Sequence, residues 1–295
     1  MFELLSYDFM QRALLAAVLV GASAPTVGIF LVQRQLSLIG DGIGHVALAG
    51  VAIGLLTGNQ PVLAALVVTV VAAVLIELVR VSGHTSGDTA LALMFYGGIA
   101  IGVVLMSKAP SSGNTLDSYL FGAITTTSPS DVAVFAVLAG LVFALTTLLR
   151  RRLFAVAADP EYSRAVGMRV LGLNILLTVL TAVTVVVSMR VVGLLLISAL
   201  MIVPNATSQL VARSFASAVL LAVGIGVACS VGGVAASFYL DTPSGGTIVV
   251  LAIMLFAVVS LGRHFAERIA AAQQSRASVA AHEAALREAA EMGRS

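Results

Sequence analysis

The chain has 295 residues, of which 59% are hydrophobic and only 10% charged, and its mean hydropathy is +1.07. Soluble domains carry about 25% charged residues, so the composition excludes a water-soluble globule and points to a membrane protein. A net charge of +2 is too weak a bias for a nucleic-acid partner, and a single cysteine excludes a disulfide framework.

The first residues, MFELLSYD, lack a basic n-region and a cleavage site, so no removable signal peptide is expected. Hydropathy predicts nine spans, over 9–33, 43–57, 61–80, 88–107, 130–149, 170–189, 191–212, 214–238 and 246–262. The fold class expected is all-α, a polytopic membrane protein. Residues 1–262 form the transmembrane domain, and the Ala-rich, charged segment 263–295 forms a helical or partly disordered cytoplasmic tail.

Sidedness follows from the positive charges. With the N-terminus outside, Arg34, Arg80, Arg150, Arg151, Arg152, Arg164, Arg169, Arg213, Arg263 and Arg268 fall inside. Only Arg12, Lys108 and Arg190 fall outside. The C-terminus is then cytoplasmic.

Most polar residues have bland explanations. Glu77 precedes Arg80 by one helical turn, which predicts an ion pair on one face. Asp88 is expected to cap the fourth span and Asp241 to serve a turn or cap. His84 and Asp117 fall in loops. Asn174 and Arg190 flank the sixth span, where interfacial hydrogen bonding accounts for them. Cys229 reads as a small packing residue.

Two segments resist that treatment. In SLIGDGIGHVALAG, Asp41 and His45 stand four residues apart inside an apolar run, so both point from one helix face. A carboxylate and an imidazole are ligand types for divalent transition ions, and ionisable groups within a span are functional by default. A helix cap by Asp41 with His45 hydrogen-bonded to it is the competing explanation. The second segment, RRRLFAVAADPEYSRAVGM, is the least membrane-like interior stretch. Asp159 and Pro160 suit an N-cap and first turn, Glu161 suits the positive end of the helix dipole, and Gly167 suits a stop. The short helix predicted at 159–168 would present Ser163, Ala165 and Gly167 as a small-residue docking face.

These segments, with DTALALMFYGGIAIGVVL, SYLFG, RVVGLLLISALMIVPNATSQL and DTPSGGTIVVL, occur in one order along residues 10–262. In that order the chain resembles the membrane permease of zinc- and manganese-type ABC importers, the ZnuB/MntB-like family. The resemblance implies a fold like that of the cobalamin and siderophore (type II) importer permeases. It implies a homodimer in a prokaryotic cell membrane, a separate ABC ATPase on the cytoplasmic side, and an extracytoplasmic metal-binding protein. It makes 159–168 the coupling helix, carried by Asp159, Pro160, Glu161, Tyr162, Arg164 and Gly167. It also assigns Asp41 and His45 to the metal route, and sets Pro204 and Asn205 along the pathway, where Asn205 departs from the family's small residues.

Two ligands are few for zinc, which usually takes four, and a two-fold dimer would supply a second Asp–His pair. The cargo expected is Zn2+, with Mn2+ second, and no permanently bound cofactor. No GxxxxGK[ST] loop occurs, so ATP is left to the partner subunit. Two alternatives are a self-sufficient carrier or channel for divalent cations and an intramembrane metalloenzyme. The docking loop argues against the first, and the lack of an HExxH-type motif against the second.

Overall fold

The structure is a computed structural model that describes residues 7–82, 87–108, 118–122, 128–189, 192–194 and 196–292, with side chains through residue 268. Every element among the described residues is helical: α1 (Asp8–Gln33), α2 (Ile39–Thr57), α3 (Pro61–Ser82), α4 (Gly87–Met106), α5 (Pro129–Leu148), α6 (Arg150–Ala158), α7 (Pro160–Ala165), α8 (Val170–Ser188), α9 (Ile197–Val211), α10 (Phe215–Leu240) and α11 (Ser244–Met292). Seven are long and apolar enough to cross a membrane: α1 to α4, α8, α10 and the Ser244–Arg268 part of α11. The pair α5 and α6 gives an eighth crossing at most, because the chain bends by 68° between them.

The remaining predicted span, 191–212, is helical only from Ile197, leaving a 15-residue α9. Gly193 sits at φ +86°, a left-handed conformation that glycine tolerates. The Leu194 N–H leaves the helical pattern and donates to the Tyr119 carbonyl at 2.9 Å. Hydropathy could not see this break, because the residues around it are all apolar. Two other boundaries also move. α2 starts at Ile39 rather than 43, and α11 runs unbroken through residue 263 for 49 residues, so the tail continues the last span as one helix.

α1, α2 and α8 are mostly buried, whereas α3, α4 and α11 line the outside. Close approach depends on small residues, the usual device for packing helices in lipid. α1 meets α10 at Gly21 and Gly226, where a Cβ on Gly21 would stand 2.7 Å from the Gly226 carbonyl oxygen. α4 meets α2 at Gly98, where a Cβ would stand 2.7 Å from the Val46 nitrogen. Cys229 is fully buried in α10, consistent with a packing role.

Two of the arginines expected on one side, Arg34 and Arg80, lie close together around Glu77. Arg80 pairs with Glu77 at 2.8 Å, and Glu77 is only 1% exposed. Arg34, just past α1, feels both: burial first and then Arg80 push its guanidinium below the ordinary value, while Glu77 acts the other way. Across the bundle, Arg263 of α11 donates to the Leu210 carbonyl near the end of α9. Asp241 caps α10 from a left-handed conformation at φ +50°. Asn174, near the start of α8, is 3% exposed and packed against the other helices. His84, Asp117 and Arg190 lie outside the described residues, as does the Asp88 side chain.

Candidate metal site and coupling helix

Because α2 begins at Ile39, Asp41 and His45 both belong to its first two turns. Asp41 lies in the first turn, where the helix dipole favours a carboxylate. It opens onto a cavity of about 350 Å³, walled by Leu38 and by Leu91, Ala92, Phe95 and Tyr96 of α4. His45 stands one turn deeper, 8% exposed, with its ring 4.2 Å from Phe95 at an interplanar angle of 71°. The helix thus offers a carboxylate at a cavity mouth and an imidazole behind it.

The break before α9 brings a third polar group to this place. Ser198, in the first turn of α9, holds its Oγ 3.5 Å from Asp41 Oδ1, the outer limit of a hydrogen bond. Glycines let the two segments approach: a Cβ on Gly44 would lie 2.8 Å from the Leu194 carbonyl oxygen, and one on Gly40 would lie 3.3 Å from Ser198 Oγ. Among the described residues, no three His, Cys, Asp or Glu side chains converge. The side-chain donors gathered here are therefore one carboxylate, one imidazole and one hydroxyl. Sequence reasoning missed Ser198 and Phe95. The signal available was a lone hydroxyl after an apolar Gly-containing run, which is weak.

Pro204 and Asn205 are buried further along α9, where it crosses α1. The Asn205 amide donates to the Pro25 carbonyl at 2.9 Å and the Met201 carbonyl at 2.7 Å, while its own oxygen finds no partner. Gly28 permits this crossing, since a Cβ there would overlap the Met201 carbonyl. Within one chain, Asn205 ties α9 to α1, and both residues are buried. The Thr207 and Ser208 hydroxyls donate within α9, to the Val203 and Asn205 carbonyls.

The docking loop folds largely as its sequence suggests. Asp159 accepts a hydrogen bond from the Tyr162 N–H at 2.9 Å, Pro160 opens α7, and Gly167 leaves it at φ +80°. Glu161, Tyr162 and Arg164 are exposed. One expectation is corrected: Ser163 is 0% exposed and its hydroxyl has no partner, so it does not belong to a docking face. In a single helical turn it points opposite Glu161 and Tyr162, into the body of the protein. Ala165 and Gly167 are exposed, so the surface available to a partner combines them with the charged and aromatic side chains of Glu161, Tyr162 and Arg164.

Comparison with known proteins fits this architecture. Residues 6–263 match the model of the ABC 3 transport family. The chain belongs to that family. It is 32% identical over 256 residues to the manganese transport system membrane protein MntC of Halalkalibacterium halodurans, covering 87% of this chain and 88% of that one. It is 30% identical over 262 residues to the chelated iron transport system membrane protein YfeD of Yersinia pestis, covering 89% and 88%. Among solved structures, PsaBC from Streptococcus pneumoniae in complex with Fab superposes with a TM-score of 0.79 at 31% identity, covering 87% of this chain and 92% of that one. An inward-facing transporter described as of the metal-chelate ABC type gives 0.71 at 16% identity, with 86% of each chain covered, and shares the fold.

This member of the ABC 3 family is therefore a multi-pass permease subunit of a prokaryotic metal importer and not an enzyme, with ATP hydrolysis on a separate subunit. Membership displaces the self-sufficient carrier and the intramembrane metalloenzyme.

Proposed function

We propose that this permease conducts a divalent transition ion past Asp41 and His45, with Mn2+ as the principal cargo and Zn2+ second. The observation that carries the reading is the contact between Asp41, one turn before His45 on α2, and Ser198 just after the break that precedes α9, since irregular backbone at membrane depth is tolerated where it is packed or lines a cavity. Two of the three donors are oxygens, a set that suits manganese better than a thiolate- or imidazole-rich one. The relatives named for manganese support the same order. The first expectation, zinc ahead of manganese, rested on a neutral imidazole and a four-ligand site.

A second copy of the chain completes the site by two-fold symmetry, doubling the carboxylate and imidazole. The exposed side of α7, with Glu161, Tyr162 and Arg164, meets the ATPase subunit, and a metal-binding protein delivers the ion from the opposite face. The N-terminus lies outside and the C-terminus in the cytoplasm, supported by the cluster of arginines at one end of the bundle. A site that passes its cargo on gains from a modest donor set, because a full cysteine cage would hold the ion too tightly for release.

The test is uptake and ATP hydrolysis by the reconstituted complex across Mn2+, Zn2+ and Fe2+. Manganese is expected to give the highest stimulated turnover, and Asp41→Ala or His45→Ala is expected to remove uptake of every ion. Normal uptake in both single variants overturns the site. A zinc optimum with intact dependence on Asp41 overturns only the order of cargoes.

A further inference from the structure

We propose that the cavity between α6 and the start of α8 is a binding site for the phosphate headgroup of an anionic membrane lipid. The cavity measures about 620 Å³ and is lined by Arg152, Gly167, Met168, Arg169 and Gly172, with Leu173 on its apolar side. Its two arginines come from different elements. Arg152 belongs to α6, which turns away from α5 by 68°, and Arg169 immediately precedes α8.

Neither guanidinium has a hydrogen-bond or ion-pair partner among the described residues, although both border one cavity. The nearby carboxylates are otherwise placed, Asp159 accepting from the Tyr162 N–H as the α7 cap and Glu161 on the exposed surface. Two cations around one concavity, with no anion between them among the described residues, repel each other and attract an external one.

Position identifies the anion. α5 ends at Leu148 and α8 begins at Val170, so the cavity lies where two spans leave the hydrocarbon layer. Buried Leu153, Val156 and Ala157 hold α6 against the bundle and keep Arg152 at that level. Basic pockets between helices at a membrane surface are suited to lipid phosphates, with Leu173 beside the glycerol and acyl ends. Room is already present: a Cβ built on Gly172 would meet only the Arg169 Cβ at 4.0 Å. The site is independent of which metal the permease carries.

The experiment uses the full-length permease with its ATPase subunit in detergent, titrated with spin-labelled phosphatidylglycerol or spin-labelled phosphatidylcholine. Phosphatidylglycerol is expected to be immobilised preferentially. The R152Q/R169Q variant should weaken that association by roughly twenty-five-fold, from about fivefold per arginine, and leave phosphatidylcholine unchanged. R151Q, an exposed arginine outside the cavity, should change neither. If the double variant fails to fold, Gly172→Leu fills the cavity without touching a charge and should produce the same selective loss.

Equal immobilisation of both lipids overturns the proposal. So does unaltered phosphatidylglycerol binding in R152Q/R169Q and Gly172→Leu. Full displacement by millimolar inorganic phosphate would mean a small-anion site and no lipid specificity. Loss of the ATPase subunit with lipid binding intact would make the arginines a protein contact.

Discussion

Ser198 Oγ lies 3.5 Å from Asp41 Oδ1, joining residues 157 positions apart in the chain. The contact is long, and it joins two polar groups in apolar surroundings. If Ser198 positions the carboxylate or shares the ion, Ser198→Ala should weaken Mn2+ binding by about tenfold, the scale for groups that orient metal ligands. Asp41→Asn, which keeps the shape and removes the charge, should abolish binding and leave the fold intact. Calorimetric titration of the detergent-solubilised permease checks both. Wild-type affinity in Asp41→Asn would remove the carboxylate from the site.

Asn205 should behave as a packing residue. Removing its amide in Asn205→Ala leaves the Pro25 carbonyl without that donor, at a cost of about 1 kcal/mol for an interhelical hydrogen bond in a membrane. The thermal midpoint of the purified permease should fall while Mn2+ affinity stays within about twofold, a change of under half a kcal/mol. A large affinity loss at unchanged stability would instead put Asn205 on the ion's route.

The charge cluster at the ends of α1 and α3 makes an asymmetric prediction. Glu77→Ala leaves Arg34 and Arg80 facing each other without their common anion, and should destabilise by about 3 kcal/mol. Arg80→Ala should cost less, because Arg34 remains to compensate Glu77. Denaturation of both single variants and the double variant would show the coupling. Equal losses in the two single variants would mean that Arg34 does not compensate Glu77.

At the docking loop, Asp159→Ala removes the hydrogen bond to the Tyr162 N–H and should cost about 1 kcal/mol of local helix stability. Association with the ATPase subunit should weaken several-fold, and Asp159→Ser, an equally good cap, should restore it. Surface plasmon resonance with immobilised ATPase reads both. Failure of serine to restore binding would mean that the carboxylate itself touches the partner.

What the sequence disclosed follows from what each signal measures. Apolar runs report burial in lipid, so most spans were legible to within a few residues. The spacing of Asp41 and His45 reports one helix face, and Asp-Pro-Glu reports a capped turn. Hydropathy carries no record of backbone conformation, so the break at Gly193 was hidden inside VVGLLLI, and the bend after Leu148 was hidden by the helix-forming arginines beyond it. Ser198 and Asn205 acquire meaning only through partners on α2 and α1. No local pattern encodes those partners. Ser163 was misread for a related reason: a six-residue helix has too few turns for periodicity to show which side faces inward.

The interruption at 192–194 is held by residues that have no side chain to vary. Gly44 backs the Leu194 carbonyl, Gly245 lies against the Val192 carbonyl, and Gly193 packs on the backbone of Leu120 and Phe121. Any substitution at these points pushes atoms into main chain, so that stretch of wall is closed to gradual change. A change of cargo in this permease is therefore expected to come through positions that do project side chains, Ser198 and Phe95 foremost. A library randomised at those two positions should yield folded proteins with altered ion preference, whereas one randomised at the glycines should yield mostly unfolded chains.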